Sequence, residues 1–407
     1  QILNEVFLRE VFYMVSRADN VITNTEAGAK PAMAASPQRQ RDYLLDNYKA
    51  LLITLVVMGH FIEPCYQNND FLYTLKWLIV SFHMPAFIFI SGYFSRRELK
   101  LSVILQKLLV PYIVYEFVYY FFYIFVIHKE TGLYLLYPKF SLWYLLALFV
   151  WRAVTPYVKK CPHYMLLSTA AGLLIGLSGM PDNFLSLPRI LYFYPFFLAG
   201  MDFRRTDLEK LQKKLFRFLS AAGIMLFAGC ILYAPVFGSL SVKVFYGRYN
   251  YDFLGQDVIS GILWRIACYA IGFAMTFAVM LLIPVRKTFF SYIGTRTMAI
   301  YLFHGLTYSY FKDCTSLLKN VAAMPQALLL LSGCILLTAL FSIPQLTAFT
   351  NKVADLRLPA AAGQTAGLLL LRGRHWLHEK TVSFTCFLFR QKSRAGSQRM
   401  MFLGGRF

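Results

Sequence analysis

The chain has 407 residues, of which 58% are hydrophobic and only 15% charged, with a formal net charge of +21. A soluble domain of this length carries closer to a quarter charged residues, so the composition excludes an ordinary soluble protein and points to a polytopic membrane protein. The basic excess falls between apolar segments rather than along one amphipathic face, which argues against nucleic acid as a partner. The seven cysteines are scattered, with no CxxC pair, and support neither a disulfide framework nor a zinc site.

The first residues, QILNEVFLRE, lack a basic stretch followed by an apolar core, so no cleavable signal peptide is expected. Residues 1–40 hold no long apolar run and read as a disordered lead. About ten apolar segments follow, measured against the ~20 residues that cross a hydrocarbon core. They lie near 46–64, 72–94, 103–127, 141–158, 164–180, 187–201, 216–237, 258–284, 289–311 and 325–349. Basic residues gather in alternate loops: Arg39 and Arg41 precede the first segment, Arg96, Arg97 and Lys100 follow the second, and Arg152, Lys159 and Lys160 close the fourth. Arg204, Arg205, Lys210, Lys213, Lys214 and Arg217 follow the sixth, Arg286 and Lys287 the eighth, and Lys352 and Arg357 the tenth. Under the positive-inside rule this alternation predicts an even number of spans with both termini in the cytoplasm. The apolar runs of residues 351–407 are too short to span, and this basic stretch reads as a cytoplasmic tail, disordered or interfacial. The expected architecture is an all-α transmembrane bundle of about ten helices over residues 41–350.

Inside such a bundle, ionisable groups are functional-site candidates, because burying them in hydrocarbon is costly. Lys49 and His60 lie on the first span with ten residues between them. Eleven steps make about three turns, so the two share one face about 16 Å apart along the axis. Glu63, three residues on, shares that face and is expected to reach the imidazole. A carboxylate that holds a histidine in one tautomer makes it a base for a hydroxyl proton. The alternative is an interfacial His and a loop Glu exposed to headgroups. His83 sits mid-span just before Pro85; it either lines a path or satisfies the backbone gap that the proline leaves. Ser91 and Gly92 read as residues that let helices pack closely. Glu116 and Arg189 are charges within or beside aromatic-rich spans, and Trp143, Tyr144, Tyr192 and Tyr194 suit either a sugar ring or an interfacial belt. Lys76 and Arg265 are expected to snorkel. His304 falls at a depth similar to that of His60. No metal-ligand spacing is present, and no Gly-rich nucleotide fingerprint.

RDYLLDNYKALLITLVVMGH resembles the opening of the acyltransferase-3 membrane proteins, in which a basic residue lies ten residues before a helix-one histidine. Their pattern continues as SFHMPAFIFISGYF, as LWYLLAL from Leu142 to Leu148, as PRILYFYPFFLAG from Pro188 to Gly200, and as YIGTRTMAIYLFHG from Tyr292 to Gly305. Five blocks in the expected order cover roughly residues 41–310. The closest flavour is the fucose 4-O-acetylase-like group of sugar and polysaccharide O-acetyltransferases. The resemblance implies transfer of an acyl group, usually acetyl, from cytoplasmic acyl-CoA to a carbohydrate hydroxyl in a bacterial plasma (inner) membrane. It implies His60 as the catalytic residue, with Lys49 in the paired basic position that more often holds Arg. Acyl-CoA is then a co-substrate and no tightly bound cofactor is expected.

The residue expectations follow. His60, Glu63 and His304 carry the chemistry; Lys49, Arg96 and Arg97 meet the CoA phosphates; His83, Glu116, Trp143, Arg189 and Tyr194 line the acceptor path. The partners are a glycan acceptor and the bilayer, with the oligomeric state left open. The rival reading is a transporter or flippase for a lipid-linked or free glycan, and a third is an inactive assembly partner.

Overall fold

Asp42 starts the first span. Its carboxylate accepts the Leu45 backbone N–H at 3.3 Å, satisfying one of the donors that every helix N-terminus leaves over, and helix α1 runs from there as Tyr43–Phe61. Asn69 does the same for α2 (Asp70–Phe94), accepting from Phe71 and Leu72. The computed structural model describes residues 41–180 and 183–356. The expectations for the lead, residues 1–40, and for the tail beyond residue 356 lie outside the described residues.

Helix α3 (Leu101–Phe125) contains a π-helical turn at Leu105–Leu109 just before Pro111. The proline has no N–H for the Lys107 carbonyl, and the wider turn accommodates the lost bond. Then follow α4 (Trp143–Val158), α5 (Tyr164–Leu177), α6 (Leu187–Asp202), the short α7 (Arg205–Leu211) and α8 (Lys214–Tyr233). The chain ends in α9 (Val258–Leu282), α10 (Thr297–Cys314), α11 (Met324–Phe341) and α12 (Pro344–Ala354). Among the described residues every regular element is helical. Seven helices are long and apolar enough to cross a membrane: α1, α2, α3, the Phe184–Asp202 segment that contains α6, α8, α9 and α11.

Two expected spans are interrupted. The stretch 289–311 divides into a single turn, Ser291–Gly294, and then α10. The break falls at Thr295 and Arg296, and the loop leading into it is tied to Asn47 on α1, whose amide donates to the carbonyls of Pro284 (2.8 Å) and Arg286 (2.9 Å). Its carbonyl accepts from the hydroxyls of Thr288 and Ser291, each at 2.6 Å. Residues 284–291 are thereby held as a loop, and a Cβ on Gly294 would overlap the Asp46 carbonyl. The stretch 325–349 breaks at Ile343, because Pro344 cannot continue α11; α12 then extends to Ala354, past the expected boundary at 350.

Helix α2 packs against α1, α6 and α9, and α1 packs in turn against α10 and α11. The α2–α6 contact is reciprocal. A Cβ on Gly92 would overlap the Phe197 carbonyl, and one on Gly200 the Phe89 carbonyl, so the two backbones touch where small residues allow it. Helix α8 is different: only 6% of its apolar window is buried, as befits a helix whose sides face lipid.

Candidate active site

The site is organised around the end of α1. Helix α1 stops at Phe61, and the turn that follows carries Glu63 towards α2 instead of leaving it on the His60 face. There the Glu63 carboxylate forms an ion pair with Lys76, whose side chain is only 3% exposed. Lys76 also donates to the Gly59 carbonyl at 2.7 Å, and Tyr246 donates its hydroxyl to Glu63 Oε2 at 2.8 Å. Burial and the neighbouring carboxylate push the Tyr246 phenol well above its ordinary range, which keeps it a donor. The Glu63 backbone N–H donates to the His60 carbonyl at 3.1 Å, but among the described residues no hydrogen bond joins the carboxylate to the imidazole. The expected tautomer-holding role of Glu63 is therefore corrected. So is the snorkelling of Lys76, because α1 and α2 enclose it. Arg265 is buried too, donating to the carbonyls of Gly172 and Tyr249 at 2.9 Å each.

His60 lies in a ring of aromatic side chains, with centroid distances of 4.7 Å to Phe140, 5.5 Å to His304 and 5.8 Å to Tyr308. His304 is wholly buried, and its Nδ1 sits 3.0 Å from the Ile300 carbonyl. A carbonyl can only accept, so Nδ1 carries a proton, and in the neutral ring Nε2 keeps its lone pair. That buried Nε2 has no hydrogen-bond partner among the described residues. His83 is fixed in the same way, donating from Nδ1 to the Ile79 carbonyl at 2.7 Å. The carbonyl deprived of a donor by Pro85 is that of Ser81, so His83 does not repair the proline gap. Its ring lines the cavity instead.

That cavity has a volume of about 380 Å³, and its walls include His60, Glu63, Lys76, His83, Trp143 and Arg189. Arg189 lies over the Trp143 ring at 5.0 Å. Sequence reasoning missed Phe140, Asn183, Tyr246, Arg248 and Tyr308, which also line it. Four come from loops and a short turn, where no local pattern marks them; Tyr308 had a signal, lying one turn after His304 on α10. Lys76 had a signal, lying seven residues and therefore two turns before His83 on the same face of α2.

Two expected lining residues are elsewhere. Glu116 is wholly buried, away from the cavity, and its Oε1 accepts the Lys139 backbone N–H at 2.7 Å. Tyr194 is bonded to the Thr155 hydroxyl at 3.0 Å, near the far end of α4. The basic residues sit at that same end. Arg96 and Arg97 line a pocket of about 170 Å³ together with Arg152 and Lys159. Lys49 lines a neighbouring pocket of about 200 Å³, with its ammonium 3.0 Å from Asp46 and 4.9 Å from the Phe94 ring centroid.

These spaces form a series. Ser95 and Arg152 border both basic pockets. Phe87, Tyr144 and Tyr301 border the Lys49 pocket and a void of about 30 Å³. His60, Met84 and Trp143 border that void and the large cavity. In the wall of the Lys49 pocket, Ser91 Oγ and Tyr144 OH share a hydrogen bond.

The fold and site define a helical membrane protein with a histidine between a polar cavity and a series of smaller pockets that ends among basic residues, and the sequence comparisons give its family. Residues 42–344 match the acyltransferase domain model of the acyltransferase-3 family, and the chain belongs to this family. A curated relative, "Nodulation protein NolL" of Mesorhizobium japonicum (strain LMG 29417 / CECT 9101 / MAFF 303099), is 38% identical over 79 residues, which are 18% of this chain and 21% of that protein. The match thus spans about a fifth of the relative's length. No solved structure matches the chain.

Proposed function

We propose that this protein transfers an acyl group, acetyl being the simplest, from acyl-CoA to a carbohydrate hydroxyl, with His60 as the general base. The observation that carries the reading is the series of spaces from Arg96 and Arg97, past Lys49, to His60. On the first helix alone, Lys49 and His60 are about 16 Å apart, a distance that an extended pantetheine arm covers. The nucleotide end of CoA would rest its phosphates on Arg96, Arg97 and Arg152, where guanidinium groups form charge-assisted, forked bonds. Lys49 would act as a point charge, without the fork of an arginine.

The acceptor would enter the large cavity and lay a sugar face on Trp143, beside Arg189. His60 then takes the proton of the acceptor hydroxyl as its oxygen attacks the thioester carbonyl. The tetrahedral intermediate collapses with cleavage of the C–S bond. The imidazolium returns its proton to the departing thiolate, giving an O-ester and free CoA. His304, with its Nδ1 proton committed to Ile300, presents a buried lone pair beside His60 and steadies the imidazolium. The arrangement fits a donor on the cytoplasmic side and an acceptor on the other.

The test uses the full-length protein in nanodiscs, supplied with labelled acetyl-CoA and a panel of glycan acceptors. Acceptor-dependent thiol release with label in the glycan, abolished in His60→Ala, is the expected result. Glycan movement across the bilayer that survives His60→Ala, with no thiol release in either protein, would sink this reading in favour of a carrier.

A further inference from the structure

The loop between α3 and α4 enters the bundle beside His60. Phe140, in that loop, holds φ at +46°, a left-handed conformation that costs a non-glycine residue free energy unless its surroundings enforce it. The ring lies 4.7 Å from His60, 5.2 Å from Tyr308 and 5.9 Å from His304, centroid to centroid. The α10 surface is bare at this point: a Cβ on Gly305 would crowd the Phe140 ring and the Tyr119 hydroxyl. Phe140 therefore fills a slot that other residues leave open.

What enforces the conformation is one residue back in the chain. Lys139 gives its backbone N–H to Glu116 Oε1 at 2.7 Å, and its ammonium lies 3.6 Å from Glu116 Oε2. Neighbouring carbonyls are held as well, Leu135 by Tyr112 OH (2.6 Å), Pro138 by Asn183 (3.0 Å) and Ser141 by Tyr301 OH. Glu116 is the ionic member of this set, and it is wholly buried on a membrane span. A charge at such a place is expensive, and it is retained where it has a role. The role visible here is to fix the backbone immediately before Phe140.

We propose that Glu116 is a positioning residue: by clamping Lys139 it holds Phe140 against the His60 imidazole, closing that face of the base to water. The inference rests on the reading of His60 as the base. It predicts that loosening the clamp exposes His60 selectively and lets water compete with the acceptor.

The experiment treats the full-length protein in nanodiscs with diethyl pyrocarbonate and reads the labelling of His60 and His83 by peptide mass spectrometry. Glu116→Gln keeps volume and an acceptor oxygen but removes the charge; Phe140→Leu removes the ring and leaves the clamp. Glu116→Gln is expected to raise the ratio of His60 to His83 labelling about tenfold, the scale of one charge-assisted bond weakened, and Phe140→Leu, which removes the cover itself, at least as much. Acetyl-CoA hydrolysis without acceptor should rise with it, and the double variant should add little, because the two act through one contact. A general loosening would raise both histidines together; an unchanged ratio in Glu116→Gln overturns the proposal, and so does an unchanged ratio in Phe140→Leu should Glu116→Gln not fold. His60→Ala is assayed in parallel. Thiol release that persists there overturns the base assignment, while the labelling ratio still judges the clamp on its own.

Discussion

Lys76 and Glu63 form an ion pair beside His60, joining the second helix to the turn that ends the first. The pair decides what the carboxylate can do. With Lys76 and Tyr246 on Glu63, its charge is spent on tying α2 and the 242–246 turn to the cavity wall, and the imidazole faces aromatic rings and His304 instead. His60 thus meets rings and a second histidine in place of the expected carboxylate.

The two halves of that ion pair should respond unequally to mutation. Lys76 is 3% exposed and Glu63 33% exposed at the side chain. Glu63→Ala strands a buried ammonium and should cost about 3 kcal/mol, since removing one partner of a buried pair leaves an uncompensated charge. Lys76→Met leaves a carboxylate that still meets water and Tyr246, and should cost about 1 kcal/mol, nearer to a surface pair. Thermal unfolding of both variants in detergent checks the order; equal losses, or the reverse order, would contradict it.

His304 should matter to turnover and not to donor binding. Replacing it by Phe keeps most of the volume and removes the lone pair on Nε2. The expected result is a fall in kcat of about a hundredfold, the scale of one positioned acid–base group, with the KM for acetyl-CoA within about twofold of the parent. A large change in KM with kcat intact would assign His304 to packing.

The glycines at the α2–α6 crossing admit no side chain. Gly92→Ala and Gly200→Ala each place a methyl against a backbone carbonyl, Phe197 and Phe89 respectively, and a backbone cannot step aside as a flexible side chain can. Each should destabilise by about 3 kcal/mol, the upper range of overpacking. Gly223→Ala, with nothing within 4 Å of its Cβ position, serves as the control and should leave the folded yield unchanged.

At the basic end, Arg97→Ala and Arg152→Ala should raise the KM for acetyl-CoA about tenfold, corresponding to one lost charge-assisted contact to phosphate, with kcat preserved. The effect should shrink for dephospho-CoA thioesters if the 3′-phosphate is the group they meet. An unaltered KM in both variants would mean that these arginines anchor the helix ends to the membrane surface and nothing more.

Local pattern went a long way in this chain. Apolar length found the helices, and Asp42, Asn69 and Asp257 cap their helices by accepting from backbone N–H groups within the first turn. What local pattern could not show was where the chain is tied to a distant partner. Asn47 holds residues 284–291 through four hydrogen bonds to groups more than two hundred positions away, contacts that no periodicity along the chain reveals. The placing of Glu63 failed for a related reason: a one-helix argument assumes that the helix continues, and α1 ends at Phe61. Glu116 was legible as a buried charge but not as a residue outside the cavity, because its partner Lys139 lies in a loop without periodicity.

The sequence by itself determined that this is a helical membrane protein, that Lys49 and His60 share a face of its first span, and which family its motifs belong to. These follow from hydrophobic length, from the 3.6-residue turn and from short contiguous blocks, all of which act along the chain. The tertiary structure alone decided which charges neutralise each other, which rings surround His60, and that a series of cavities leads from Arg96 and Arg97 to that histidine. Those are contacts between helices and loops remote in sequence, set by how backbones pack at Gly92 and Gly200 and by where buried polar groups find partners.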